Sequence, residues 1–442
     1  MSLPQAFIER MAEQLGSELP AFLRTYEEPY QRGLRLNPRK AVTADMLDAA
    51  ELLSPVPWEP TGFYLSAESR AGATILHEAG AWYLQEPSAM IPAAVLAPKP
   101  GERVLDLCAA PGGKTTQLGL RMAGQGTLIC NEPIRDRARI LSRNVERMGL
   151  ENAVVVSEWP EKLAERWPEA FDAIQCDAPC SGEGMFRRHP ETREEWSPEA
   201  PAGCAKRQGD ILDSAARMLR PGGRLVYSTC TLNTIENEGV VEAFLARHPD
   251  FRLQAFSLPT LDAPQGMLTI YPHRVRGEGH FVALLCREGE AAAQGWQTPE
   301  MGKKERQLLT SLSAAMPEGH GANWLHAVSA EEYELRRVPE LPQGGLPMLL
   351  RCGLHLGTVK LGRGGKGKPV FTPDHAWAVC CDAPRVFRVR LTQEQAASYQ
   401  HGEVIPADGN GWVLAEYEGV ALGWGKASGG MMKNHYPKGL RR

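Results

Sequence analysis

Short apolar runs alternate with amphipathic stretches through the middle of the chain. The runs are Arg103–Leu107, Thr127–Asn131, Ala153–Ser157, Phe171–Asp177, Arg224–Thr229 and Phe281–Arg287. Runs this short, bounded by turn residues, read as buried strands. Between the second and third, Ile134, Ala138, Leu141, Val145 and Met148 form one apolar stripe at helical spacing. Gly149 follows where a helix should end. This strand–helix alternation predicts an α/β domain: a mostly parallel sheet with helices on both faces.

The flanks read differently. Ala6, Met11, Leu15 and Leu19 recur near helical spacing, which predicts a helical N-terminal region. Pro55, Pro57 and Pro60 break the following segment into a loop, and Pro98-Lys-Pro-Gly101 opens the central domain. After Glu288–Lys304, a linker rich in Ala, Gly, Gln and Glu, the segments Glu305–Met316 and Ser329–Arg337 are expected as helices. From Leu349 short strands and glycine turns are expected, at 358–361, Ala376–Cys381, Val386–Leu391, Gly411–Tyr417 and Val420–Trp424. The expected units are 1–95, 96–290, 291–348 and 349–442. A chain of 442 residues is too long for one ordinary core.

Composition narrows the class. Hydrophobic content of 43% and charged content of 23% are those of a globular protein. No apolar run is long enough for a bilayer, so no membrane partner is expected. Met1-Ser-Leu-Pro-Gln lacks the basic start and apolar core of a secretion signal. With ten cysteines, this points to free thiols in a reducing, cytoplasmic setting. No Cys-x-x-Cys pair occurs, so no metal site is expected. The net charge of −4 disfavours nucleic acid only weakly, because three basic runs contain no acid. They are Pro29–Ala44, Val359–Pro369 and the stretch after Glu418. Each is either a solvated loop or a phosphate contact.

The chemistry gathers at strand ends. Asp106-Leu-Cys-Ala-Ala-Pro-Gly-Gly-Lys-Thr115 follows a strand but is not a phosphate-binding P-loop, since Cys108 stands where that motif needs glycine. The nicotinamide fingerprint is also absent. A small-residue turn remains, with Glu132 at the end of the next strand, where a carboxylate can accept both hydroxyls of a ribose. That combination suits S-adenosylmethionine, which has free ribose hydroxyls and no phosphates. Cys180 in Asp177-Ala-Pro-Cys and Cys230 in Ser228-Thr-Cys-Thr each lie just past a strand's carboxyl end. Open α/β sheets bind ligands along that edge. Two thiols beside a cofactor turn imply covalent chemistry. Which thiol attacks is not decided by their placement.

Three blocks, Asp106–Thr115, Asp177-Ala-Pro-Cys-Ser-Gly-Glu-Gly184 and Tyr227-Ser-Thr-Cys-Thr231, resemble the signatures of the Sun-type RNA (cytosine-5) methyltransferases. Leu84-Gln-Glu-Pro-Ser-Ala-Met90, Glu278-Gly-His-Phe281 and the ending Lys433–Arg441 resemble its bacterial RsmF branch. The resemblance implies a Rossmann-like methyltransferase domain with a C-terminal PUA-like RNA-binding module. It implies methylation of carbon 5 of a cytidine in the decoding region of 16S ribosomal RNA, free or within the small subunit; a monomer is expected. Transfer RNA, or a non-catalytic role in ribosome assembly, are the alternatives.

By the same resemblance, Cys230 is the nucleophile and Cys180 helps release the product. Asp177 and Lys114 lie near the target base. Cys108, Ala109, Ala110, Pro111, Gly112, Gly113 and Lys114 form the cofactor loop, with Glu132 on the ribose and Asp177 near the methionine end. Ser157 or Glu158 would meet the adenine. RNA contacts would come from Arg32–Asn37, Gly362–Lys368 and the tail. Trp377, Trp412 and Trp424 are either base-stacking platforms or core. The other eight cysteines are assigned to the core, and His280 to packing at a strand start.

Overall fold

The structure, a computed structural model, describes residues 2–41, 43–291, 295–312, 316–317, 321–362 and 368–441. Its centre is a nine-stranded sheet. The strands are β1 (Arg103–Asp106), β2 (Thr127–Asn131), β3 (Ala153–Ser157), β4 (Phe171–Asp177), β5 (Leu219–Thr229), β6 (Phe251–Leu253), β7 (Met267–Ile270), β8 (His280–Arg287) and β9 (Met348–Cys352). Their order is 6-8-5-4-1-2-3-9, with β7 also paired to β8. Strands 5-4-1-2-3 are parallel, while β8 and β9 run antiparallel on either side. The last strand therefore comes from beyond residue 290.

Both faces of the sheet are buried, so alternate residues enter different cores. Leu105, Ile129, Val154 and Ile174 face one side, against Leu163, Leu212, Ala215 and Phe244. Val104, Leu128, Val155 and Ala173 face the other, against Ile91, Leu118, Leu141 and Val145. Burial on two faces is why these strands read as continuous apolar runs. The covering helices are α1 (Gly113–Arg121), α2 (Arg135–Arg147), α3 (Pro160–Arg166), α4 (Ala200–Met218) and α5 (Glu238–Arg247). The predicted stripe on α2 holds from Ala138 to Met148, but Ile134 precedes the helix and is 48% exposed.

The N-terminal region opens with the expected helices, Gln5–Leu15 and Leu19–Arg24, and has shorter ones at Ala44–Ala49, Ile75–Glu78 and Ile91–Leu96. It continues as a four-stranded antiparallel sheet of Gly33–Leu36, Leu52–Pro55, Gly62–Leu65 and Trp82–Leu84. Strands of three or four residues are too short to show an alternation, so the pattern missed them.

This sheet also corrects the expectation for Arg32–Asn37, which turns inward. Arg35 is 1% exposed and donates to Gln85 Oε1 (2.5 Å), the Gly113 carbonyl (2.7 Å) and Thr116 Oγ1 (2.9 Å). Arg32 donates to the carbonyls of Ser66, Ala67 and Ser69, and Asn37 to those of Gly80 and Met148. Lys40 Nζ meets the carbonyls of Ala79 and Arg147, and Arg39 pairs with Glu151 at 3.3 Å. The basic run staples the N-terminal sheet to the central domain. Arg35→Ala would strand the buried Gln85 Oε1 and take a donor from Thr116 Oγ1 and the Gly113 carbonyl. It is expected to cost about 3 kcal/mol, read as a lower midpoint in urea, and Arg35→Lys should recover little because it lacks the planar fork.

Two C-terminal expectations also change. Within Ser329–Arg337 the chain forms a strand, Glu332–Arg337, paired with Trp324–Ala327 and Leu354–Lys360. Within Ala376–Cys381 it forms a helix, His375–Val379, capped by the Asp374 side chain accepting from the Ala376 N–H at 2.9 Å. A short apolar run alone does not distinguish the two states. The five-stranded sheet that follows includes Gly411–Tyr417 and Val420–Ser428. Trp377 and Trp424 are buried in its core, edge to face at 5.6 Å, so neither is free to stack on a base. Trp412 is half-buried, with Lys426 over its ring at 5.5 Å. The expected contact at Gly362–Lys368 falls largely outside the described residues. Among those described, no helix is long and apolar enough to cross a membrane, and no cluster of three His, Cys, Asp or Glu could hold a metal ion.

Candidate active site

From β1 the sheet runs through β2 and β3 on one side and through β4 and β5 on the other. The carboxyl ends at that reversal open a crevice. Four loops enter it: 107–112 after β1, the turn at Glu132 after β2, Asp177–Gly184 after β4, and Cys230–Asn237 after β5. Thr115 Oγ1 donates to Asp106 Oδ2 (2.6 Å) and the Ala109 carbonyl (3.2 Å), which closes the first loop onto α1. Gly112 sits at φ +114°, a conformation open to glycine, and a Cβ there would lie 3.2 Å from Leu141. Asp106 Oδ1 is buried without a hydrogen-bond partner, and burial pushes this carboxyl up to about 7.

Two cavities flank the crevice. One, of about 730 Å³, is walled by Cys108, Glu132, Pro133, Trp159, Pro179 and Cys180 among others. The second, of about 500 Å³, is walled by Lys114, Arg188, Glu278 and His280 among others. Asp177 and Cys230 line both. Glu132 is 2% exposed and accepts the Ile134 N–H at 3.0 Å, with Arg137 at 3.4 Å. Ser157 and Glu158 are not among the residues walling the first cavity. Ser157 Oγ donates to the Pro133 carbonyl, and the Glu158 carboxylate accepts from the Trp159 N–H. That end is walled instead by Pro133, Trp159 and Pro160.

The sulfur atoms of Cys180 and Cys230 lie 3.3 Å apart. Hydrogen bonding of the Cys180 S–H to Cys230, then burial, push the Cys180 thiol well above its ordinary value. Lys114 Nζ meets Asp177 Oδ2 at 2.7 Å, and Ser228 Oγ donates to Asp177 Oδ1 at 2.7 Å. Burial opposes ionisation of Asp177, but Lys114 and His280 together outweigh it and hold the carboxylate well below the usual range. All four predicted catalytic side chains thus meet in one place. Cys130, Cys176, Cys352 and Cys380 are buried away from it; Cys108 lines both cavities.

A buried polar clamp binds the two cysteine loops together. Glu236, fully buried, accepts from the Ser181 N–H (3.0 Å), Ser181 Oγ, Gln208 Nε2 (2.8 Å) and Asn233 Nδ2 (2.8 Å). Glu183 accepts from Arg10 (2.6 Å), the Leu232 N–H (3.1 Å) and Asn233 (3.1 Å). The Gly184 N–H donates to the Cys230 carbonyl at 2.8 Å, and a Cβ at 184 would lie 2.9 Å from that oxygen. The sulfur–sulfur distance is therefore fixed by packing around it.

Comparison with known proteins agrees with this architecture. The family described as 16S rRNA methyltransferase RsmB/F matches residues 93–286. The N-terminal domain of 16S rRNA methyltransferase RsmF matches 3–87, and the methyltransferase RsmF PUA domain matches 386–442. Ribosomal RNA small subunit methyltransferase F of Klebsiella pneumoniae is 35% identical, over 99% of this chain and 96% of that protein. The chain belongs to the RsmB/F methyltransferase family. Its relative of the same name in Aliivibrio fischeri is 32% identical, over 100% of this chain and 98% of that one. A methyltransferase homolog protein from Pyrococcus horikoshii superposes with a TM-score of 0.56 at 30% identity, covering 64% of this chain and 95% of that one. NSun6 from the same organism, solved with SFG, gives 0.56 at 21%, covering 65% and 99%. The family member described here thus has a Rossmann-like S-adenosylmethionine-dependent methyltransferase fold carrying an RsmF N-terminal domain and a PUA domain.

Several site residues escaped the sequence reading. Asn131 joins three loops: its side chain donates to the carbonyls of Leu107 and Glu158, and its own carbonyl accepts from the Ala109 N–H. Glu183, Asn233 and Glu236 form the clamp. The signal was the density of Asn, Thr and Glu directly after Thr231, which in isolation reads as a solvated loop.

Proposed function

We propose that this protein methylates carbon 5 of a cytidine in 16S ribosomal RNA, through a transient bond between Cys230 and carbon 6. The observation that carries the reading is the pair of thiols 3.3 Å apart, at a Cys230 that lines both cavities. A methyl donor in one cavity and a flipped base in the other would meet there. Relatives with the ribosomal RNA methyltransferase name span the whole chain, which favours ribosomal RNA over transfer RNA.

The larger cavity suits S-adenosylmethionine. Glu132 offers a buried carboxylate to the ribose, Cys108 to Gly113 offer close backbone, and Pro133 and Trp159 offer apolar walls to the adenine. The orphaned Asp106 Oδ1 supplies an unmet acceptor beside the loop. The P. horikoshii NSun6 neighbour was solved with SFG, an analogue of this cofactor. The cofactor supplies an electrophilic methyl group.

Carbon 5 of cytosine is a poor nucleophile. Addition of the Cys230 thiolate to carbon 6 would push an electron pair onto carbon 5 and make it the nucleophile towards the electrophilic methyl that the bound cofactor would supply. A base then removes the carbon 5 proton, the double bond re-forms, and the Cys230–carbon bond breaks. Asp177 remains ionised beside Lys114 and accepts from the amino edge or the protonated ring nitrogen, which stabilises the positive charge that makes carbon 6 electrophilic.

The environment of Cys180 supports one order of events. The Cys230 hydrogen bond is the largest cause raising it, and that bond is lost once Cys230 is bonded to carbon. Cys180 then becomes easier to ionise at the moment elimination needs a base. Labelled cofactor offered to small subunits, purified 16S RNA and transfer RNA tests the assignment. Label is expected as 5-methylcytidine in ribosomal RNA; label confined to transfer RNA would overturn it.

A further inference from the structure

His280 is 2% exposed and opens β8. Its register is held from both sides, by Ile270 opposite it on β7 and by the neighbouring Phe281 opposite Thr229 on β5. Glu278, two residues earlier, is clamped by Arg187 at 2.6 Å and 2.7 Å. The ring therefore has little freedom. Its Nε2 is buried with no hydrogen-bond partner, and lies 3.6 Å from Asp177 Oδ1. It faces the cavity that also holds Lys114 and Cys230. A histidine kept only for packing would not need a polar atom aimed at a carboxylate, since leaving it unpaired is costly.

The charges around the ring decide what it can do. Lys114, Asp177 and Glu86 are the charged groups that act on it. Burial, then Lys114, hold the imidazole below its ordinary value, so it is neutral near pH 7. A neutral donor orients a carboxylate without cancelling its charge. A second cation beside Lys114 would weaken Asp177 as an acceptor.

We propose that His280 is a positioning residue for Asp177: its Nε2–H bonds Oδ1 and turns the carboxylate towards the target pyrimidine. This rests on the reading that Asp177 meets that base. Its test compares His280→Gln, whose amide nitrogen can reach the Nε2 position, with His280→Phe, which fills the space without a donor. The single-turnover methyl-transfer rate should fall about thirtyfold in His280→Phe and stay within about threefold of wild type in His280→Gln. Cofactor affinity should be unchanged in both. Should His280→Phe fail to fold, His280→Asn, whose amide ends short, is expected to show the same loss. Equal rates in the Gln and donor-less variants would overturn the proposal.

A second measurement is independent of activity. In protein labelled with ¹⁵N-histidine, the His280 signal, assigned by its loss in His280→Gln, should show a neutral ring protonated on Nε2. Protonation on Nδ1 alone would overturn the proposal, because a bare Nε2 cannot donate. If wild type makes no 5-methylcytidine, the cytidine reading fails, and the tautomer still decides this one.

Discussion

Cys230→Ala is expected to abolish methyl transfer, by at least about 10⁴-fold, while binding of the cofactor is unchanged. Without a sulfur to add at carbon 6, carbon 5 has no electron pair to offer the methyl, and no neighbour supplies one. Cys180 lies 3.3 Å away but is held towards its neutral, weakly nucleophilic form. The fold should not suffer, because Cys230 is only partly buried and the clamp is made by Ser181, Asn233, Glu236 and backbone groups. Single-turnover kinetics with calorimetric titration of the cofactor separates the two quantities. Weakened cofactor binding with residual chemistry would mean that Cys230 shapes the cavity and does not attack.

Asp177→Asn is the second large effect. The methyl-transfer rate should fall about 10²- to 10³-fold, as when a preorganised charge is removed from a reacting group. Lys114 loses its partner, so stability should also fall by about 2 kcal/mol at pH 7. The pH dependence has a definite sign. Asp177 is held below its unfolded value, so its contribution is fully present above about pH 4 and fades as pH falls through the folded value. Urea midpoints of wild type and variant should therefore differ at neutral pH and converge in acid. A constant difference at all pH values would show that the ion pair does not stabilise the folded site.

The parts of the fold legible in the sequence were those whose pattern is set by burial alone. β1 to β5 and β8 are apolar because both faces of the sheet are covered, and the pattern places each of them, although β5 begins at Leu219, five residues before its apolar run. The N-terminal sheet was not legible, because its strands are too short to alternate and depend on distant partners, as Leu34 does on Phe63 and Leu84. Ala376–Cys381 reads as a strand in sequence; the helix there, His375–Val379, is announced by Asp374, a polar residue just outside the apolar run.

The site divides in the same way. Lys114, Asp177, Cys180 and Cys230 stand in compact blocks whose residue types point to their chemistry. The clamp residues do not, because Asn233 and Glu236 are loop-like until the loop after β4 brings Ser181, and α4 brings Gln208, to Glu236. The basic run at Pro29–Ala44 misled in the opposite sense. Charge in the sequence suggested phosphate, yet Arg35 is consumed by Gln85, Gly113 and Thr116.

The central claim, a covalent bond from Cys230 to the target base, is tested most directly with Cys180→Ala. That variant, mixed with cofactor and small-subunit RNA, should stall after methyl transfer for want of the base that completes elimination. Digestion and mass spectrometry are predicted to find a methylated cytidine attached to the peptide carrying Cys230. A released 5-methylcytidine with no adduct, or an adduct on any other residue, would contradict the account.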